Sequence, residues 1–207
     1  MQPDIDALTA RSQRYWNADG LPELIMGVLW MVWGSAWLFG QSLPHDWRWN
    51  AYWSATPVFL AGSASLAVWA IKRLKARFTF PRAGYVEWNE PTRSARLAAA
   101  AVAAVSAAVL VIAVLRNDGS RGTFAAPILG VILSLAFVVA SLRQRAPHFL
   151  ALAAVALALG VALGAIEESW SSANWLFVGL GAAAAVLGAV RFTRFLKQHP
   201  RPTPEQA

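Results

Sequence analysis

The chain has 207 residues, of which 57% are hydrophobic and 14% charged, whereas a soluble domain of ordinary composition has about 25% charged residues. With a mean hydropathy of +0.44, it belongs in a bilayer, and its net charge of +7 reads as a set of topology signals rather than a nucleic-acid surface because the cations lie between apolar runs. The absence of cysteine excludes disulfides, thiolate catalysis and cysteine metal sites.

In chain order, residues 1–22 form a cytoplasmic N-terminal segment. Ile5, Leu8, Ser12, Tyr15 and Trp16 recur at helical spacing, as in an amphipathic helix lying on a membrane surface. Asp4, Asp6, Asp19 and Glu23 precede or open the first apolar run, and no small-residue cleavage site follows it, so a signal peptide is a poor reading. In "RYWNADGLPEL", Asp19 suits a helix N-cap, and Pro22 and Glu23 suit the first turn.

A helix needs about 20 mostly apolar residues to cross a hydrocarbon core. Six stretches meet or approach that length, at 23–41, 53–71, 97–115, 124–142, 149–166 and 173–190. The expected fold is therefore an all-α integral membrane protein, a transmembrane domain over 23–196 with one short cytoplasmic β-hairpin between the second and third helices. In the first span Met26, Trp30, Trp33 and Trp37 share an aromatic face, and Gly27 and Gly34 lie a heptad apart on another. The fifth and sixth spans carry the small-residue series Ala156, Gly160, Gly164 and Gly181, Ala185, Ala189, which permit close helix packing within the chain or in a dimer.

The hairpin expectation rests on "RFTFPRAGYVEW", residues 77–88. Large apolar and polar residues alternate around a Pro-Arg-Ala-Gly turn, so that Phe80 would pair with Tyr85 and Phe78 with Glu87. The C-terminal 197–207, with three prolines in "HPRPTPEQA", reads as a disordered tail.

Orientation follows from the basic residues. With both termini cytoplasmic, 15 of the 18 Lys and Arg lie inside, and only Arg48, Arg116 and Arg121 lie outside, together with Glu167 and Glu168. Trp47, Trp49, Tyr52, Trp53, Trp170 and Trp175 then fall in the outer connections as interfacial anchors.

Apart from Glu23 at the start of the first, the spans hold no Asp, Glu, Lys, Arg or His, which disfavours proton relays and ion pathways at membrane depth. His45, His148 and His199 stand in separate loops or ends, without metal-site spacing, and no cofactor or catalytic constellation is visible. Serine and threonine hydroxyls in the spans are expected to bond back to their own helices. The candidate interaction site is therefore on the inner face: Asp19 and Glu23 meeting Arg77 or Arg82, with Tyr15 and Trp16 covering the hairpin aromatics, Tyr85 among them. The arginines also serve simply to retain the loop inside, and they suit anionic phosphate groups.

At these positions the sequence resembles an uncharacterised group of bacterial multi-pass membrane proteins that pair "YW..DG..EL" with a later "P-R-x-G-Y-V". The matches are Tyr15, Trp16, Asp19, Gly20, Glu23 and Leu24, then Pro81, Arg82, Gly84, Tyr85 and Val86. The resemblance implies a prokaryotic membrane protein and carries no activity with it. Two functions are expected: a non-enzymatic accessory or scaffold subunit presenting the hairpin to a protein partner, or a carrier or sensor for a small apolar or lipid-like molecule. The expected partners are the lipid bilayer and either a protein partner or a second copy of the chain, with no nucleic acid, and the expected location is the bacterial cytoplasmic (inner) membrane.

Overall fold

A computed structural model describes residues 19–83, 125–144, 146–166 and 171–200, all helical or in short turns. The helices are α1 (Leu21–Ser42), α2 (Trp47–Leu74), α3 (Ala125–Gln144), α4 (His148–Ile166) and α5 (Ser171–Gln198). Beyond α2 the chain stays helical, through a π-helical segment Lys75–Thr79 and a last turn Phe80–Ala83. Five helices among the described residues are long and apolar enough to cross a membrane. Large apolar side chains such as Phe39, Val58, Leu66, Leu135 and Val161 are exposed along them. Such surfaces need hydrocarbon or another protein around them rather than water.

One expectation is corrected. Among the described residues there is no strand, and Arg77, Phe78, Thr79 and Phe80 are helical, so the hairpin does not form. Alternating apolar and polar residues over so short a run do not separate strand from helix. Here the helix continues because Thr79 is buried on one side while Phe78 packs its ring edge-on against Phe192, at 6.1 Å between centroids. Five of the six expected spans fall on described helices, and the expected span 97–115 lies outside the described residues, as do residues 84–88. Residues 1–18, with the amphipathic segment, and 201–207 also lie outside. α5 itself runs on to Gln198, past the predicted end of the sixth span.

Packing divides the described helices into two units. The first contains α1, α2 and the part of α5 from Phe177 onward, and the second contains α3, α4 and the first residues of α5. In the first unit α1 and α5 cross on small residues. A Cβ at Gly27 would come within 2.6 Å of the Gly181 carbonyl, and one at Gly181 within 2.6 Å of the Gly27 carbonyl. Gly20, at φ +73°, enters α1 in a left-handed conformation, and a Cβ there would meet the Gly188 carbonyl at 2.6 Å. Both requirements select glycine. In the second unit a Cβ at Gly130 would meet the Ala156 carbonyl at 2.8 Å, and one at Gly160 the Ala126 carbonyl at 2.9 Å. The small-residue series of the fifth and sixth predicted spans are thus used inside the chain.

α1 and α2 are joined by the turn 43–46, capped by Asp46, which accepts from the Arg48 amide at 2.8 Å. Above that turn, Gly40 leaves room for the Tyr52 and Trp53 rings, and the Tyr52 hydroxyl donates to the Ala36 carbonyl. Midway along the pair, Trp33 Nε1 donates to Ser63 Oγ at 2.9 Å, and Ser63 in turn donates to the Leu60 carbonyl at 3.1 Å. Thr56 and Ser65 bond back to their own helix, as expected of hydroxyls in apolar helices.

Candidate functional site

The site forms where the start of α1 meets the ends of α2 and α5. Asp19 accepts from the Leu21 amide at 3.1 Å through Oδ1, which caps α1 one residue ahead of Gly20. Its other oxygen, Oδ2, accepts from Lys75 Nζ and from Thr79 Oγ1, both at 2.8 Å. The pair is shut away from solvent, with side-chain exposures of 1% for Lys75 and 0% for Asp19. One turn into α1, Glu23 Oε1 accepts from Arg191 Nη1 at 2.7 Å, with the Arg191 side chain 20% exposed. Two carboxylates thus face two cations, and Lys75 also feels the charges of Glu23 and Arg191.

Burying ions is costly, and the mutual attraction compensates only when the remaining lone pairs and protons are also bonded. Asp19 meets that condition with three hydrogen bonds, two of them to side chains on the π segment. The macrodipole of α1 adds to it, because Asp19 and Glu23 sit at its positive start. Lys75 and Thr79 are four residues apart and so share a face, which sets both on one carboxylate oxygen. The segment between them is π-helical, with the Phe80 amide donating to the Lys75 carbonyl, an i to i+5 bond. Pro81, which has no amide hydrogen, follows at once and restricts the ladder beyond it.

Asp19 and Glu23 are thus paired with Lys75 and Arg191, not with Arg77 or Arg82 as expected. Arg77, two positions from Lys75 and so on another face, is exposed and lies 5.7 Å from the Phe78 ring. Arg82 donates through Nη1 to the Phe78 carbonyl at 2.9 Å, and its Nε is buried without a hydrogen-bond partner. Tyr15, Trp16 and Tyr85 lie outside the described residues. Asp19 bonds the first amide of α1 and anchors an ion pair with Lys75, a partner the sequence reading did not name.

Sequence reasoning missed Lys75, Thr79 and Arg191. Lys75 and Arg191 look like ordinary topology charges flanking apolar spans. The signal available was positional: Lys75 and Thr79 are four residues apart, and Arg191 follows Gly188 by three on the small-residue side of α5. Reading the first required the helical continuation past Leu74, and reading the second required the continuation of α5 past residue 190.

A second cluster occupies the opposite end of α1 and α2. Trp37 meets Phe177 edge-on at 6.3 Å, and Tyr52 meets Trp53 edge-on at 5.6 Å, with Trp49 and His45 stacked at 5.1 Å beyond them. The indole Nε1 atoms of Trp37 and Trp53 are buried with no hydrogen-bond partner. Trp47, by contrast, is 72% exposed, as suits an interfacial anchor. Among the described residues no group of three or more His, Cys, Asp or Glu is placed to hold a metal ion.

No protein family, curated protein or solved structure matches this chain.

Proposed function

We propose that the chain is a multi-pass accessory or scaffold subunit of a bacterial inner membrane, with both termini cytoplasmic and no catalytic activity of its own. The supporting observation is that Asp19 and Lys75, buried where a reactive group would be shielded, are bonded to each other and to Thr79 and a helix amide. Charges held in this way fix helix ends in place and are not poised to exchange protons or ligands. The exposed apolar belts leave the helices free to contact lipid and a partner subunit. The bacterial assignment rests on the motif resemblance, and the orientation on the distribution of basic residues.

The decisive experiment is gentle purification of the full-length tagged protein from its native membrane, followed by identification of co-eluting chains. A stoichiometric partner is expected, and a monodisperse protein eluting alone overturns the subunit role. Because the chain lacks cysteine, orientation is tested with single cysteines and an impermeant thiol reagent on intact cells. His45→Cys should label from outside and Ala83→Cys should not; the reverse pattern inverts the topology.

A second reading, a carrier or sensor of a lipid-like molecule, is favoured by the two buried indole donors of Trp37 and Trp53, which a ligand carbonyl or hydroxyl oxygen would satisfy. Mass spectrometry of molecules extracted from the purified protein should then show one species enriched over the membrane average. That enrichment should fall in Trp37→Phe and Trp53→Phe, and its absence from the wild type removes this reading.

A further inference from the structure

Lys72, Arg73 and Arg77 are exposed at the end of α2 and on the π segment, and Arg194 and Lys197 are exposed on the last turns of α5. The Phe78–Phe192 contact brings these two rows to the same end of the first unit. The carboxylates at that end, Asp19 and Glu23, are occupied by Lys75 and Arg191, so among the described residues none is left to pair with the outer cations. One turn before Lys72 and Arg73, Trp69 is 61% exposed, and Leu66 another turn back is 62% exposed. Apolar surface, an aromatic ring and then paired cations follow one another along α2, which is the order of acyl chain, interface and phosphate in a lipid leaflet.

We propose that this rim binds anionic phospholipid headgroups, with phosphates bridging the Lys72, Arg73 and Arg77 row to Arg194 and Lys197 while the acyl chains lie along Leu66 and Trp69. The inner ion pairs have a role in this. By occupying Asp19 and Glu23 they leave the exposed cations of the rim unopposed among the described residues, and by tying α1 to α2 and α5 they fix the spacing between the two rows. Guanidinium groups suit this task because each offers several donors to phosphate oxygens.

The test uses the full-length protein in nanodiscs of phosphatidylcholine with a minor fraction of phosphatidylglycerol, and counts the lipids retained by native mass spectrometry. The wild type should retain phosphatidylglycerol over phosphatidylcholine by about fivefold for each well-engaged cation. High salt should reduce that preference, since exposed charges are screened. The combined change Lys72→Gln, Arg73→Gln, Arg77→Gln, Arg194→Gln and Lys197→Gln should abolish it. Arg48→Gln, at the opposite end of α2, should leave it intact. If the fivefold substitution prevents folding, Arg73→Gln with Arg194→Gln should still lower the preference several-fold. A wild type with no preference, a preference indifferent to salt, or one unchanged in the rim variants overturns the proposal.

Discussion

The α1–α5 seam and the α3–α4 seam use the same device for opposite problems. Both bring helix backbones together on small residues, Gly27 with Gly181 and Ala185 in one and Gly130 with Ala156 and Gly160 in the other. In α3–α4 the connection is only a few residues long, and the Ala146 amide donates to the Ser141 carbonyl at 3.1 Å as the chain turns. The turn alone sets the pairing of those helices. α1 and α5 lie at opposite ends of the sequence, and nothing in the chain's connectivity fixes their register. There the structure adds Glu23–Arg191 across the pair and Asp19–Lys75 to the neighbouring helix. Close packing in lipid is weakly directional, because lipid tails are as apolar as the side chains they compete with. Buried ions are directional, since a slipped register leaves a charge unpaired.

The largest effect that would break this comparison is at Asp19. Asp19→Ala leaves Lys75 buried beside no direct counter-ion and should cost about 3–5 kcal/mol. Reversible unfolding in mixed micelles measures it. Asp19→Leu with Lys75→Met should recover most of that loss, because both desolvation penalties vanish together. A double variant as unstable as the single one would mean that the pair specifies the fold in a way apolar packing cannot replace.

Next are the glycine seams. Gly188→Val places a side chain against the backbone of Leu24 and Gly20 and should cost about 1–3 kcal/mol, with a similar loss for Gly160→Val against Ala126 and Gly130. The outcomes should differ in kind. Gly188→Val should weaken cross-linking between cysteines placed on α1 and α5, whereas the short turn should keep α3 and α4 cross-linkable in Gly160→Val.

Glu23→Gln should be milder, at about 1–3 kcal/mol, since it weakens a charge-assisted hydrogen bond whose arginine is partly solvated. Exchanging the charges, Glu23→Arg with Arg191→Glu, restores attraction but sets a cation against the positive start of α1. It should therefore recover only part of the loss in the same unfolding assay. The smallest effect is expected from Trp33→Phe, which removes the bond to Ser63 and should cost about 0.6 kcal/mol, within reach of a thermal-shift comparison in detergent.

Much of the helical architecture was legible in the sequence. Long apolar runs place all five described helices and set the limits of α1, α3 and α4 to within two residues. α2 starts six residues earlier and α5 ends eight residues later than the apolar runs do, because polar and charged residues extend a helix beyond its apolar stretch. The expected start of α1 is also observed, with Asp19 capping it and Pro22 and Glu23 in its first turn. The reading failed where two periods compete over a short stretch. Phe78, Thr79 and Phe80 alternate like a strand, but the neighbouring helix supplies a carboxylate for Thr79 and a ring for Phe78, and those tertiary contacts favour the helix.

By itself, then, the sequence determined where the five described helices long and apolar enough to cross a membrane lie, since that depends on hydrophobicity summed along the chain. Only the tertiary structure decided which cations are topology signals and which are buried partners. Lys75 and Arg77 are two residues apart and chemically alike as cations, yet one is held on Asp19 and the other is exposed. What separates them is the helical phase through the π segment and the position of α1's first turn, and both are set by packing between segments far apart in the chain.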